Sequence, residues 1–247
     1  YLEFANKYWQ IIRINEDGSI RIIYSGEKAE VDAAGKETVL ANGYNDWSTD
    51  YTQIGTSDFN ASSNRSEYVG YRYTSESQRP NSTNEGTDST IKTYLENWYS
   101  NNLQSYDSRI VSSASAGFCN DRNLRSTEGE WVSTGSTQYY AAYERRSNGS
   151  PTYECSNSND LYQTKIGLIT VDEVMYAGGS IGTNYGYYLY TGNQYWTMSP
   201  YTFSAANSYA IVFTVYSAGY LNNDYVNLAN GVRPVINLST NNTITGS

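Results

Sequence analysis

Gly231-Val232-Arg233-Pro234-Val235-Ile236-Asn237-Leu238 closes a quarter of the chain, residues 185–238, in which Tyr, Asn, Ser and Gly surround short apolar runs. Residues 232–238 read as the last of five strand-like runs after Gly186. The others lie at 187–190, 195–198, 209–216 and 225–226, separated by Gly and Asn turns. In the central run Tyr209, Ile211, Phe213 and Val215 share one face, and Ala210, Val212, Thr214 and Tyr216 the other. Tyr gives a large rigid contact area at little entropic cost, while Ser, Gly and Asn supply adaptable hydrogen bonds. The segment therefore reads as a recognition surface on a rigid frame.

The other end of the chain holds the clearest hairpin. Tyr8-Trp9-Gln10-Ile11-Ile12-Arg13-Ile14 and Ile20-Arg21-Ile22-Ile23-Tyr24 flank Asn15-Glu16-Asp17-Gly18-Ser19, where Asp-Gly supplies the positive φ of a turn. Residues 26–53 read as polar loop. Residues 56–86 read as a surface excursion interrupted by a short strand at 68–73. From Asp88 the period becomes helical: Ile91, Tyr94, Leu95 and Trp98 share a face that extends to Asn102 or Leu103, with Asp88 or Ser89 as N-cap. Residues 107–111 read as a strand and 112–154 as a long Gly/Ser-rich region. A second helix opens on the capping box Thr170-Val171-Asp172-Glu173, turns Val171, Val174 and Met175 inward, and stops at Gly178-Gly179. Strands near both ends with two helices between them imply an α+β fold in which the terminal strands are adjacent and residues 1–247 form one domain.

Composition narrows the function. Sixteen Lys and Arg against 25 Asp and Glu give a net charge of −9, which argues against nucleic acid and anionic membranes as partners. The absence of His removes the commonest general base and metal ligand. Tyr occurs 27 times and Phe 5 times, a bias that suits aromatic bodies with hydroxyls facing water, as on an extracellular surface. Cys119 and Cys155 form an even pair able to close a loop of about 36 residues, worth about 3–4 kcal/mol on the chain-entropy model; two buried thiols are the alternative. Low Lys content, Asn/Ser/Thr richness and paired Cys together favour secretion. No apolar run approaches the length of a membrane span, so direct membrane insertion is not expected of these residues. The start inside a strand-like run points to an export or pilin-like segment upstream.

Trp9-Gln10-Ile11-Ile12-Arg13-Ile14 with Asp17-Gly18-Ser19-Ile20-Arg21, then Phe118-Cys119-Asn120-Asp121-Arg122, Gly167-Leu168-Ile169-Thr170-Val171-Asp172-Glu173-Val174, Tyr195-Trp196-Thr197-Met198-Ser199-Pro200 and the closing Gly-Val-Arg-Pro block together resemble a family of Gram-positive surface proteins often described as prepilin-like. The C-terminal half also resembles the C-type-lectin-fold proteins diversified by retroelements and, more distantly, the formylglycine-generating-enzyme fold. The resemblance implies a C-type-lectin-like fold. Trp196 and Pro200 then wedge the core beneath displayed loops, and Arg233 ties loop carbonyls or a carboxylate. It also implies that the ligand-binding residues lie among Tyr201, Phe203, Asn207, Tyr209, Tyr216, Tyr220, Asn222, Asn223, Asp224, Tyr225, Asn227 and Asn230. The chain lacks the Glu-Pro-Asn or Gln-Pro-Asp triplet and Trp-Asn-Asp element of calcium-dependent sugar binders, and it lacks a cysteine pair after Cys155 for formylglycine-type oxidation.

Other chemistry is outweighed by plain structural readings. Asp172 and Glu173 suit a helix N-terminus as capping box and dipole partners, and Asp121-Arg122 suits an ion pair flanking a disulfide. A carboxylate-based hydrolase needs two acids about 5–10 Å apart in a cleft, which spacing alone does not establish. Acids at Asp17, Asp46, Asp50, Asp58, Glu85 and Asp88 show no alternating calcium-ligand spacing. The expectation is a non-catalytic, cofactor-free domain at a bacterial cell surface that binds an external protein or glycan. The alternative is the globular head of a pilin-like subunit that self-associates in a filament.

Overall fold

The computed structural model describes residues 1–27, 52–74, 86–129 and 136–240. Its first sheet grows from the expected hairpin. Strands β2 (Lys7–Ile14) and β3 (Ile20–Glu27) pair antiparallel across a turn where Gly18 takes φ 80° and donates its N–H to Asn15 O. Strand β1 (Leu2–Phe4) lengthens one edge, opposite Lys7, Tyr8 and Trp9 only. The last strand, β14 (Val235–Leu238), fills the other edge, with Val235 opposite Ile23 and Leu238 opposite Ile20, giving the order β1-β2-β3-β14. The last strand thus shares a sheet with the N-terminal hairpin and pairs with its second strand, while β1 lies on the opposite edge, so the first and last strands are not the neighbours expected.

The second sheet has the order β12-β11-β10-β13-β4, built from β4 (Thr56–Asp58), β10 (Tyr195–Ser204), β11 (Tyr209–Val215), β12 (Leu221–Tyr225) and β13 (Ala229–Gly231), with β8 (Thr137–Tyr139) also on β10. Two small ribbons join β5 (Arg72–Tyr73) to β6 (Thr87–Asp88) and β7 (Phe118–Cys119) to β9 (Leu161–Tyr162). Helix α1 (Thr90–Asn102) starts where expected, with the Ser89 hydroxyl accepting from Lys92 N–H. Its deepest face is Ile91, Leu95 and Tyr99, followed by Leu103; Tyr94 and Trp98 sit half-buried at its margin. The capping box of α3 (Val171–Tyr176) is complete, since Thr170 accepts from Glu173 N–H and Glu173 accepts from Thr170 N–H.

Several expectations are corrected. Residues 141–148, read as part of a Gly/Ser-rich region, form a further helix, α2 (Ala141–Asn148), stopped by Gly149 in the left-handed conformation at φ 63°. Residues 104–109 are a 3-10 helix, and Ile110 contributes only a single bridge to Leu238. Residues 66–69 are also 3-10 before the two-residue strand β5. The run at 187–190 is a turn, whereas β12 reaches back to Leu221 through Asn222, Asn223 and Asp224. Those three are poor strand formers, and pairing along Ile211–Val215 of β11 overrides their propensity. The loops expected within 28–51 and 75–85 lie outside the described residues.

Apolar side chains from the two larger sheets and the three described α-helices form one core, with Trp9, Trp196, Tyr71, Tyr140, Tyr195, Phe59, Phe118 and Phe213 fully buried. Tyrosine therefore serves the interior as well as the surface. The Tyr71 hydroxyl donates to Ile166 O at 3.2 Å and that of Tyr195 to Leu189 O at 3.1 Å, which satisfies the polar end of each buried ring. Cys119 and Cys155 are bonded, with Cα atoms 5.6 Å apart. Among the described residues no helix is long and apolar enough to cross a membrane.

Candidate functional site

Trp196, Pro200 and Arg233 all lie in the interior of the fold. The Trp196 indole is fully buried, donates Nε1–H to Ser57 O at 2.8 Å and meets Phe59 edge to face. Pro200 sits between two register shifts of the β10–β11 pair, where a residue without an N–H interrupts the ladder. Arg233 is fully buried over the Tyr195 ring and spends its planar fork on carbonyls: Nη1 on Leu189 O at 3.0 Å, and Nε and Nη2 on Tyr24 O at 3.2 and 3.1 Å. Nε also reaches Thr52 O, and Nη2 reaches Gln10 Oε1. This one side chain ties β3, the 187–190 turn and the start of the second sheet together.

The twelve expected ligand-binding residues do not form one surface, because β12 sends alternate side chains to opposite faces. Asn223 pairs with Phe213 and Tyr225 with Ile211. On that face Tyr209 and Tyr225 meet edge to face at 5.2 Å, and Tyr225 is 41 % exposed. Tyr201 packs on Phe213 of the same face and is half-buried against Tyr139 and Tyr143. Asn222 and Asp224 point the other way, where Asp224 accepts from Gln194 Nε2 at 3.2 Å and from Asn230 Nδ2 at 3.1 Å. Phe203 and Asn230 are buried, which removes them from any displayed set. Asn207 is exposed in the β10–β11 turn, Asn227 is exposed after β12, and Tyr216 and Tyr220 bracket the β11–β12 turn with rings 5.0 Å apart.

A second assembly was not anticipated. Arg13, Arg21, Arg145, Asp121, Asp172 and Glu173 converge on a cleft of about 480 Å³ walled on one side by the disulfide. Arg145 holds Asp172 with Nε and Nη2 at 2.7 and 2.9 Å and Asp121 with Nη1 at 2.8 Å. Asp121 thus pairs with Arg145 instead of Arg122, whose guanidinium and N–H both go to the buried Asp160. Burial pushes the Asp160 carboxyl up to about 6 against the pull of Arg122. Asp172 is likewise more than a partner of the helix dipole. Glu173 adds Arg13 at 3.1 Å and Arg21 at 2.9 Å to its capping duty. Arg21 Nε is within ion-pair distance of Glu173 but off the line of a hydrogen bond; burial draws that guanidinium down to about 10. One signal for this cluster lies in the sequence: the hairpin register sets Arg13 opposite Arg21, and like charges across a ladder require an anion between them.

No family model, curated protein or solved structure matches the chain. The chemistry of the two assemblies must therefore be read from their own atoms. Asp121, Asp172 and Glu173 share the cleft, as a hydrolase would require, but each is clamped by arginine; the other two acids that line it, Glu16 and Glu154, are exposed. A general acid or base needs a carboxyl free to exchange its proton with substrate. The described residues hold no group of three or more His, Cys, Asp or Glu placed to bind a metal ion; Asp46, Asp50 and Glu85 lie outside them. The Tyr209–Tyr225 face, by contrast, offers exposed aromatic area beside Asn223, backed by β11, whose residues after Tyr209 are all buried.

Proposed function

We propose that the chain is a non-catalytic recognition domain of C-type-lectin-like organisation, exported to a bacterial cell surface, which holds an external protein or glycan against the face of β11 and β12 that carries Tyr209, Asn223 and Tyr225. The observation that carries this reading is the edge-to-face pair of Tyr209 and Tyr225, held by main-chain pairing from Ile211 to Val215. Aromatic side chains on a pre-ordered backbone lose little entropy on binding, and amide groups beside them supply direction. A last strand paired with the N-terminal hairpin, helices packed on sheet and a disulfide support the fold assignment. The arginine clamps on Asp121, Asp172 and Glu173 support a non-catalytic role.

The test is a screen of the purified domain on immobilised glycans and surface proteins, followed by Tyr209→Ala and Tyr225→Ala. Each truncation costs upward of about 1 kcal/mol of binding at an anchor position. A double variant that keeps its melting temperature and loses the ligand supports the proposal. Unchanged affinity in that variant, or a wild-type domain that retains nothing in the screen, refutes it.

A further inference from the structure

We infer that the open edge of β2, together with the mouth of the adjoining cleft, is a docking site for an extended peptide strand that carries a basic side chain. Strand β1 covers β2 only as far as Trp9. Beyond it, the main chain of residues 10–14 has, among the described residues, no strand and no other backbone group bonded on that side. Sheet edges are ordinarily protected by charge, proline or a covering segment. Here Ile11 is 50 % exposed and Ile14 is 72 % exposed, and the one charge on the edge, Arg13, is turned inward to Glu173. A peptide laid on such an edge gains main-chain hydrogen bonds and presents alternate side chains to one face.

The cleft specifies which side chain. Arg13 and Ile14 form both the end of the edge and part of the cleft wall, so a strand added to β2 runs past the cleft mouth. The three arginines inside are neutralised by Asp121, Asp172 and Glu173. The carboxylates of Glu16 and Glu154 also line the cleft, are exposed, and make no ion pair among the described residues. The uncommitted charge of the site is therefore negative, in a chain of net charge −9, and it selects a cation. A second copy of this chain is disfavoured as occupant, because it carries the same net charge of −9 and would bring its own Glu16 to the junction.

The probe is a fluorescein-labelled, blocked heptapeptide alternating Thr and Val around a central Lys, with two controls: the same peptide centred on Glu, and one N-methylated at alternate residues. By fluorescence polarisation the Lys peptide binds the wild-type domain, the Glu peptide binds about tenfold more weakly, and N-methylation abolishes binding. Ile11→Lys with Ile14→Lys, both at exposed positions, abolishes binding of every peptide. Glu16→Gln with Glu154→Gln brings the Lys and Glu peptides to within about twofold of each other. Equal binding of the N-methylated peptide, no binding by the wild type, or a Lys preference that survives the glutamine pair overturns the inference. So does a wild-type dimer in sedimentation that Ile11→Lys and Ile14→Lys dissolve, since the edge would then belong to a second copy. Tyr209→Ala and Tyr225→Ala leave this site intact, so failure here is distinguishable from failure of the recognition face.

Discussion

Replacing Arg145 with Met removes the counter-charge of two buried carboxylates at a stroke. The Arg145 side chain is 15 % exposed, and those of Asp172 and Asp121 are 5 % and 3 % exposed, so solvent does little to screen what remains. Breaking a buried pair from one side costs about 3–5 kcal/mol. Two carboxylates are stranded here, but Thr152 N–H still reaches Asp172 at 3.1 Å and Ser156 Oγ–H still reaches Asp121 at 2.8 Å, which holds the loss near about 4 kcal/mol instead of twice that. In a chain of this size about 1 kcal/mol moves the melting temperature by about 2–4 °C, so Arg145→Met melts about 8–16 °C lower. The control is the triple variant Arg145→Met, Asp121→Asn, Asp172→Asn, which keeps the shapes and removes the stranded charges. It recovers at least half of the loss. Urea denaturation of wild type, single and triple variants measures this directly. A single variant within about 1 kcal/mol of wild type, or a triple variant less stable than the single, refutes the reasoning.

Three further outcomes are expected. Reducing Cys119–Cys155, or replacing both with Ser, lowers stability by about 3–4 kcal/mol through the freed 36-residue loop, read as a lower urea midpoint with the slope examined for a change in the unfolded state. Gly219→Ala costs about 2 kcal/mol or more, because φ is 81° and a Cβ there would overlap Asn184 O; a melt within error of wild type would contradict the turn geometry. Stability falls on acidification below about pH 4: Ser19 holds Asp17, Tyr99 holds Asp107 and Ser126 holds Glu144 below the ordinary carboxylate range by hydrogen bonds to the ionised form. The folded state then binds fewer protons than the unfolded state, so this contribution is complete above the unfolded values and is lost as pH falls through the folded ones. Melting temperatures from pH 6 to pH 3 check the sign, and Asp17→Asn should flatten the curve.

The N-terminal hairpin, the cap of α1 and the capping box of α3 were legible because each is a local statement: a turn residue, an N-cap hydroxyl, a Glu three positions on. Helix α2 was not, since Ala141-Ala142-Tyr143-Glu144-Arg145-Arg146 lies between Ser- and Gly-rich stretches and only Ala142 is fully buried. Strand β12 was missed for the complementary reason: Asn222-Asn223-Asp224 has no intrinsic strand preference and takes its conformation from β11. The burial of Trp196 and Pro200 and the hold of Arg233 on carbonyls were readable, whereas the division of the Tyr/Asn segment between two faces required the register. The ion-pair cleft draws on β2, β3, β7, α2, α3 and the segment around Cys155. Of this long-range assembly, the sequence offers only the opposition of Arg13 and Arg21.

The placement of β14 also governs when the molecule can become itself. The hairpin of β2 and β3 lies within residues 7–27, yet the strand that completes their sheet is Val235–Leu238, and Gly167 and Ile110 bridge to that same strand. Contacts so far apart along the chain close slowly, and an edge that waits for its partner is exposed in the interval. Closure of that sheet therefore waits on residues 235–238: a polypeptide cut short before Val235 keeps its hairpin but leaves its first sheet a strand short.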